Sequence, residues 1–218
     1  NIGLCSSLNK ASKLVKTNYI LYAHDDMFFC KNWDLFLENE VKKCHNNLFY
    51  LTGTNVSLKN GLINYDCGSS FENFNEKKFD KFCDTDKSMD LQGSHWAPHL
   101  IHKNLWEEIG GFSEEFNPGD GSDSDLNMKL WKTGVRLFKG LNDFKVFHFG
   151  SISMRKNKNI KKNNGTKTFL KKWGITPRFF FKHYLKTGTD FNKPLKNPKI
   201  TIIYIIELFI CKIKKLFT

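Results

Sequence analysis

Residues 18–26 read Asn-Tyr-Ile-Leu-Tyr-Ala-His-Asp-Asp, a short apolar run that ends in two adjacent carboxylates. Residues 19–23 are apolar without alternation, which predicts a strand covered on both faces, as in a parallel sheet flanked by helices. Such a strand delivers Asp25 and Asp26 to the carboxyl edge of the sheet, where open α/β sheets bind their ligands. Neighbouring carboxylates repel each other unless a cation is close. The pair therefore points to a divalent metal and, behind it, a phosphate-bearing substrate. The same residues also fit a loop turn with solvated charges, and the pair alone does not separate the two.

The flanking sequence alternates helical and strand patterns. Leu4, Leu8, Ala11 and Val15 share one face of a helix over residues 4–16. The chain opens on this helix as if already inside a domain, so the sequence is expected to be N-terminally incomplete. Asn32 is the expected N-cap of a helix carrying Trp33, Phe36, Leu37 and Val41, and residues 48–54 read as the next strand. Residues 61–90 are polar and aromatic without a clear period, with one short helix expected near 71–82. Residues 92–101 return to the sheet. A helix over 103–109 ends at Gly110-Gly111, with Phe112 as a buried plug, and a second over 123–133 stops at Gly134. Strands follow at 135–138 and 144–149. Residues 1–150 thus predict an α/β domain with a mostly parallel sheet flanked by helices.

Charge separates the chain into two parts. Residues 1–150 hold 17 Lys and Arg against 20 Asp and Glu, whereas residues 151–218 hold 17 against 2. A nucleic-acid binder spread over the whole chain would not segregate its charge in this way, and the first part has no basic recognition helix, so no nucleic-acid partner is expected. Residues 155–165 are expected to form a mobile basic loop, followed by helices at 169–173 and 177–185. Residues 151–218 read as a basic loop and helical tail. Within it, residues 200–218 carry an apolar run of about a dozen residues, short of the ~20 needed to span a bilayer. Glu207 interrupts the run, and Lys212, Lys214 and Lys215 flank it. It fits either an interfacial anchor on an anionic membrane surface or a packed terminal helix. The six cysteines show no paired Cys-X-X-Cys spacing, which suits a reducing compartment. The expected location is cytoplasmic, peripheral on the inner face of the membrane.

Further candidates lie downstream of the carboxylate pair. The loop from Gly119 to Ser124 delivers acidic residues to a helix start. Ser122 with Asp125 has capping-box spacing, which gives Asp125 a structural job. Asp123 is left over in the first turn, where the helix dipole would keep it ionised and able to act as a general base. A surface first-turn aspartate would read the same way. His148 closes an apolar strand and suits a metal site that already holds a carboxylate. Residues 92–99 include His95, able to bond a hydroxyl, and Trp96, able to stack on a sugar ring or simply fill the core.

Taken in order, these blocks resemble the family-2 nucleotide-sugar glycosyltransferases of GT-A fold. The resemblance runs over residues 1–174. It comprises Asn9-Lys10-Ala11, Ala23-His24-Asp25-Asp26 as an Asp-X-Asp-type element, Gly110-Gly111-Phe112-Ser113-Glu114, Ser122-Asp123-Ser124-Asp125-Leu126, His148 and Lys172-Trp173-Gly174. It implies a GT-A-like catalytic domain. Asp26 would coordinate Mn2+ or Mg2+ on the donor diphosphate, Asp25 would touch the ribose or the metal shell, and His148 would complete the site. Asp123 would deprotonate the acceptor hydroxyl, and His95, Trp96 and Asp125 would line the acceptor side. Where the family commonly has Glu-Asp, this chain has Ser122-Asp123.

The function expected from the sequence is an inverting, metal-dependent hexosyltransferase. It would move a sugar from a nucleotide-diphosphate donor to a glycan or lipid-linked hydroxyl acceptor in cell-surface glycan assembly. A non-catalytic carbohydrate-binding or scaffold relative of such an enzyme, or a nucleotide-diphosphate hydrolase, would share much of the same pattern.

Overall fold

The computed structural model describes residues 2–59, 61–150 and 163–218. Most of the expected basic loop, residues 155–162, lies outside the described residues. The elements are α1 (Leu4–Ser12), β1 (Tyr19–Tyr22), β2 (Met27–Phe29), α2 (Trp33–Lys43), β3 (Phe49–Ser57), β4 (Ile63–Asn64), α3 (Glu76–Thr85), β5 (Leu91–Gln92) and β6 (His99–His102). They continue as α4 (Lys103–Glu108), α5 (Ser122–Lys132), β7 (Leu137–His148), α6 (Gly165–Trp173), α7 (Pro177–Phe180) and α8 (Ile202–Leu216). A π-helical turn, Phe181–Leu185, extends α7.

One seven-stranded sheet has the order β1-β6-β3-β7-β2, with β4 beside β3 and β5 beside β7. Only β3 with β7 and β3 with β4 pair parallel. The pairs β1–β6, β3–β6, β2–β7 and β5–β7 are antiparallel. The expected mostly parallel sheet is therefore corrected to a mixed one. Strands β1, β3 and β7 run the same way, as helical connections allow, while β2, β5 and β6 are short returns that need no crossover helix.

Periodicity misleads at β1 for a physical reason. Ile20 and Tyr22 are buried while Tyr19 and Leu21 are half-buried. The two faces nevertheless meet different apolar clusters, one holding Ile20, Tyr22, Tyr50 and Phe138, the other Phe49, Leu51, Leu100 and Phe144 with Tyr19 and Leu21 against it. With apolar cover on both sides, no polar alternation is needed. Helices α6, α7 and α8 contribute Phe169, Phe179, Phe180 and Cys211 to the first of these clusters.

The two strands expected at 135–138 and 144–149 are one strand, β7. Its register against β3 jumps between Gly53↔Leu141 and Thr54↔Lys145, so residues 142–144 bulge out of the pairing. Polar groups close the bulge: Thr54 Oγ1 donates to Leu141 O at 2.9 Å, and the Asn142 backbone N–H donates to Asp90 Oδ1 at 2.8 Å. Buried Lys145 donates to Asn142 O at 2.7 Å and pairs with Asp86 at 3.1 Å. A bulge of this kind re-aims the strand end that follows it, here Val146 to His148.

Helix α1 is tied to the loop before α5 by one side chain. Asn9 donates from Nδ2 to Phe112 O at 2.8 Å and accepts from Phe112 N–H at Oδ1, 2.9 Å. Phe112 itself is buried, as expected of a plug. Gly111 has φ 60, and a Cβ there would sit 2.4 Å from Asn9 Oδ1, so both backbone conformation and close approach require glycine. Asn9→Ala would leave both backbone groups of Phe112 without their partner. The expected cost is about 2–6 kcal/mol, at ~1–3 kcal/mol per unsatisfied buried group, read as a lowered urea midpoint with unchanged slope.

Candidate active site

Strands β1 and β7 end on the same edge of the sheet. Asp26 immediately precedes Met27, and Met27 pairs with His148 across β2 and β7. The Phe149 N–H also donates to Asp26 O at 3.0 Å, which fixes the two chain segments side by side. His148 Nε2 then lies 3.1 Å from Asp26 Oδ1. The His24 ring stands 5.5 Å from that of His148, and ligand atoms of His24, Asp26 and His148 all lie within 4.8 Å of one another. Asp26 is buried, His24 and His148 are half-buried, and Asp25 is exposed and outside the group.

This is a workable donor set for a divalent cation: bonds of roughly 2.0–2.2 Å from nitrogen and carboxylate oxygen put ligand atoms at most about 4.4 Å apart, so the three side chains would draw slightly together on an ion. His24 is held below the usual imidazole range, first by burial and then by neighbouring His148, against the pull of Asp26 and Asp25. It is therefore neutral at neutral pH, with a lone pair free for a metal. Two imidazoles and one carboxylate suit a borderline cation better than Mg2+, which prefers oxygen ligands and its own waters.

Asp123 sits in the first turn of α5. The N-cap is Gly121 at φ 82, without a side-chain capping bond, and Ser122 Oγ donates instead to Gly119 O at 2.7 Å. The expected Ser122–Asp125 capping box is thus replaced by a glycine start, because the tight turn brings Gly121 against the backbone of Gly165. The expectation that the helix dipole keeps Asp123 ionised is also corrected. Burial pushes its carboxyl up to about 7, while the residue keeps part of its surface open. Tyr22 packs on the His-Asp-His group and feels the charge of this carboxyl. Its ring is 5.4 Å from His24, and its phenol is raised first by burial, next by Asp123, and then in smaller measure by Cys5, Asp26 and Asp25.

Asp125, two residues on, points elsewhere. It is fully buried, accepting from Ser113 Oγ at 2.6 Å and Trp173 Nε1 at 2.8 Å and pairing with Lys172 at 3.0 Å. These bonds join the Gly110-Gly111-Phe112-Ser113 loop, α5 and the Lys172-Trp173 end of α6. Asp125 has no free oxygen to offer an acceptor, so its expected acceptor contact is replaced by a positioning role. The physical reason is burial: a carboxylate this deep has to be paired and hydrogen-bonded.

His95 and Trp96 are both half-buried. His95 stacks on Phe181 with ring centroids 3.9 Å apart, meets Trp96 edge-on at 4.9 Å, and is lowered by burial to about 4, hence neutral. Trp96 donates from Nε1 to Gly53 O at 3.2 Å. Asn127 donates to Asp123 O at 2.7 Å and to His95 O at 3.4 Å, so the turn carrying His95 abuts the first turns of α5. The fold thus gathers His24, Asp26 and His148, sets Tyr22 edge-on to His24 and in the field of Asp123, places His95 and Trp96 beside α5, and leaves Asp25 and Asp125 outside the His-Asp-His group.

Sequence reasoning missed His24 as a ligand and Tyr22 as its neighbour. The available signal for His24 was its spacing of two from Asp26, which is the Asp-X-Asp spacing with an imidazole in first place. Tyr22 carried none, because an apolar strand tyrosine reads as core.

No protein-family model matches the chain, and no curated protein matches it in sequence. Its fold is similar to that of GalNAc-T7 in a crystal structure with UDP, GalNAc and Mn2+, at 13% identity and a TM-score of 0.52. The similarity covers 82% of this chain and 36% of that one, so the chain spans about a third of its neighbour's length.

Two measurements check the site. In calorimetric titration with Mn2+, His24→Ala and His148→Ala should each weaken binding by at least about tenfold, while Asp25→Ala leaves it nearly unchanged. Asp125→Ala, which leaves the Ser113 hydroxyl and the Trp173 N–H without their acceptor while Lys172 keeps Glu115, should lower stability by roughly 2–6 kcal/mol in urea unfolding, at ~1–3 kcal/mol per unsatisfied donor.

Proposed function

We propose that this chain catalyses metal-dependent transfer of a sugar from a nucleotide-diphosphate donor to a hydroxyl acceptor, with inversion at the anomeric carbon. The observation that carries the reading is Asp123. A carboxyl lifted by burial to about 7, whose charge reaches the Tyr22 that packs on a His-Asp-His group, is poised as a general base at neutral pH. Fold similarity to a glycosyltransferase crystallised with UDP, GalNAc and Mn2+ supports the same class and makes a UDP-sugar the first donor to test.

In this reading His24, Asp26 and His148 would hold the cation, and Mn2+ is the first to test because the fold neighbour was crystallised with it. When bound, the cation supplies positive charge to the departing diphosphate. The protein's own groups do the rest. Asp123 takes the proton of the acceptor hydroxyl as its oxygen bonds to the anomeric carbon, and the bond from that carbon to the diphosphate oxygen breaks. The half-buried faces of His95 and Trp96 receive the acceptor, the neutral His95 by a hydrogen bond and Trp96 by stacking. Exposed Asp25 is free to meet the donor ribose. Asp125 keeps α5, and Asp123 with it, in place through Ser113, Lys172 and Trp173.

Asp123→Asn should lower kcat by about 10²- to 10⁴-fold while leaving donor affinity near its original value, the usual range for a general base. The base works only when deprotonated. The wild-type rate should therefore rise with pH through about 7 and level off above it, and the variant should lose this limb. Product analysis by NMR is the second arm. Retained anomeric configuration would overturn direct displacement, donor cleavage unaffected by acceptor would favour a hydrolase, and donor or glycan binding without turnover would favour a carbohydrate-binding protein.

A further inference from the structure

Helix α8 packs on the protein through one narrow edge. Tyr204, Leu208 and Cys211 meet the core formed by α6 and α7, and Cys211 is buried. The opposite side carries Ile202, Ile206, Phe209, Ile213 and Leu216, exposed by 78%, 54%, 63%, 41% and 82%. At about 100° per residue these five, with Ile203, Ile205, Ile210 and Phe217, fill an arc of roughly 160° centred away from Cys211. Lys212 and Lys214 fall on the two margins of that arc, and both are exposed. A contiguous apolar face of this size on a helix that is already docked marks an interaction surface.

Charge tells which partner. Residues 163–218 contain 12 Lys and Arg against two acids, Asp190 and Glu207. Glu207, the acid of α8, is taken up by Lys182 at 2.5 Å and His183 at 2.5 Å. Lys182 belongs to a cavity that it lines with Arg178 and Lys186, so the surface beside α8 is cationic as well. An apolar stripe with lysines on both margins, on a basic surface whose acid is neutralised, is complementary to anionic lipid: acyl chains take the stripe, and phosphates take the margins. No helix of the described residues is long and apolar enough to cross a membrane. At 1.5 Å per residue α8 reaches only about 22 Å, so it would lie in the surface rather than span it.

We infer that α8 docks this protein onto an anionic bilayer surface, with its apolar arc among the acyl chains and Lys212 and Lys214 facing lipid phosphates. The inference is independent of the catalytic reading, since it is tested without turnover. The full chain is sedimented with phosphatidylcholine vesicles and with mixed phosphatidylglycerol–phosphatidylcholine vesicles. Binding to the mixed vesicles should be at least about tenfold stronger and should weaken as salt is raised. Phe209→Glu with Ile213→Glu should abolish binding to the mixed vesicles. Because both side chains point away from the core, thermal unfolding should not change. Lys212→Gln with Lys214→Gln should reduce the preference for anionic lipid while keeping the fold. Equal binding to the two vesicle types, or vesicle binding unaffected by the Phe209/Ile213 pair, would overturn the proposal. So would a chain that binds no vesicles and instead forms a dimer disrupted by that pair, which would assign the face to a second copy.

Discussion

The parallel pairing of β3 with β7, from Phe49↔Leu137 to Val56↔Phe147, is the constraint on which the rest of the structure depends. Side chains along β3 alternate between the two main apolar clusters, Tyr50 to one and Phe49 and Leu51 to the other. A one-residue slip would reverse every one of them, so burial on both faces pins the register. The remaining strands attach to the outer sides of this pair, β6 to β3 and β2 to β7. The bulge at residues 142–144 is tolerated because Thr54, Asp90 and Lys145, itself paired with Asp86, bond the Leu141 carbonyl and the backbone N–H and carbonyl of Asn142. Beyond it β7 arrives at the sheet edge with His148 beside Asp26.

Two aspartates in one helical turn illustrate how surroundings divide labour. Asp125 is buried with a lysine and two neutral donors, and it fastens three segments together. Asp123 is affected by burial alone and is driven up to about 7. The same side chain therefore becomes a fastener where partners converge and carries a raised pKa where they do not. A similar contrast separates Asp26, drawn into the group with His24 and His148, from Asp25, which faces solvent.

Much of this was legible in the chain. Gly110-Gly111 ending α4, Phe112 as a plug, Gly134 after α5 and the strand running into Asp25 and Asp26 are local signals with local causes, and each stands where the sequence puts it. The α/β class followed from the alternation of periods. Less legible were the parts that depend on what packs opposite. Asn32 does precede α2, but it adopts φ 58 and makes no capping bond, because backbone conformation there is set by the turn out of β2 rather than by cap preference. Residues 61–90 hid β4, while the short helix expected near 71–82 is α3 at Glu76–Thr85, which contributes Phe79 to a third cluster with Val56 and Phe147; its bounds were blurred because a short helix with one buried face has few apolar positions to show its period.

The sequence by itself determined which groups were available: carboxylates at a strand end, an aspartate at a helix start, a histidine closing an apolar strand, and a basic segment separate from an acidic one. Only the tertiary structure decided their use. Strand direction, the choice of His24 over Asp25 as a neighbour of Asp26 and His148, the raised pKa of Asp123 and the outward turn of the apolar face of α8 all depend on contacts between residues far apart in the chain. Local propensity is written in adjacent residues. Burial and the electrostatics of a site are properties of whatever the fold brings next to them.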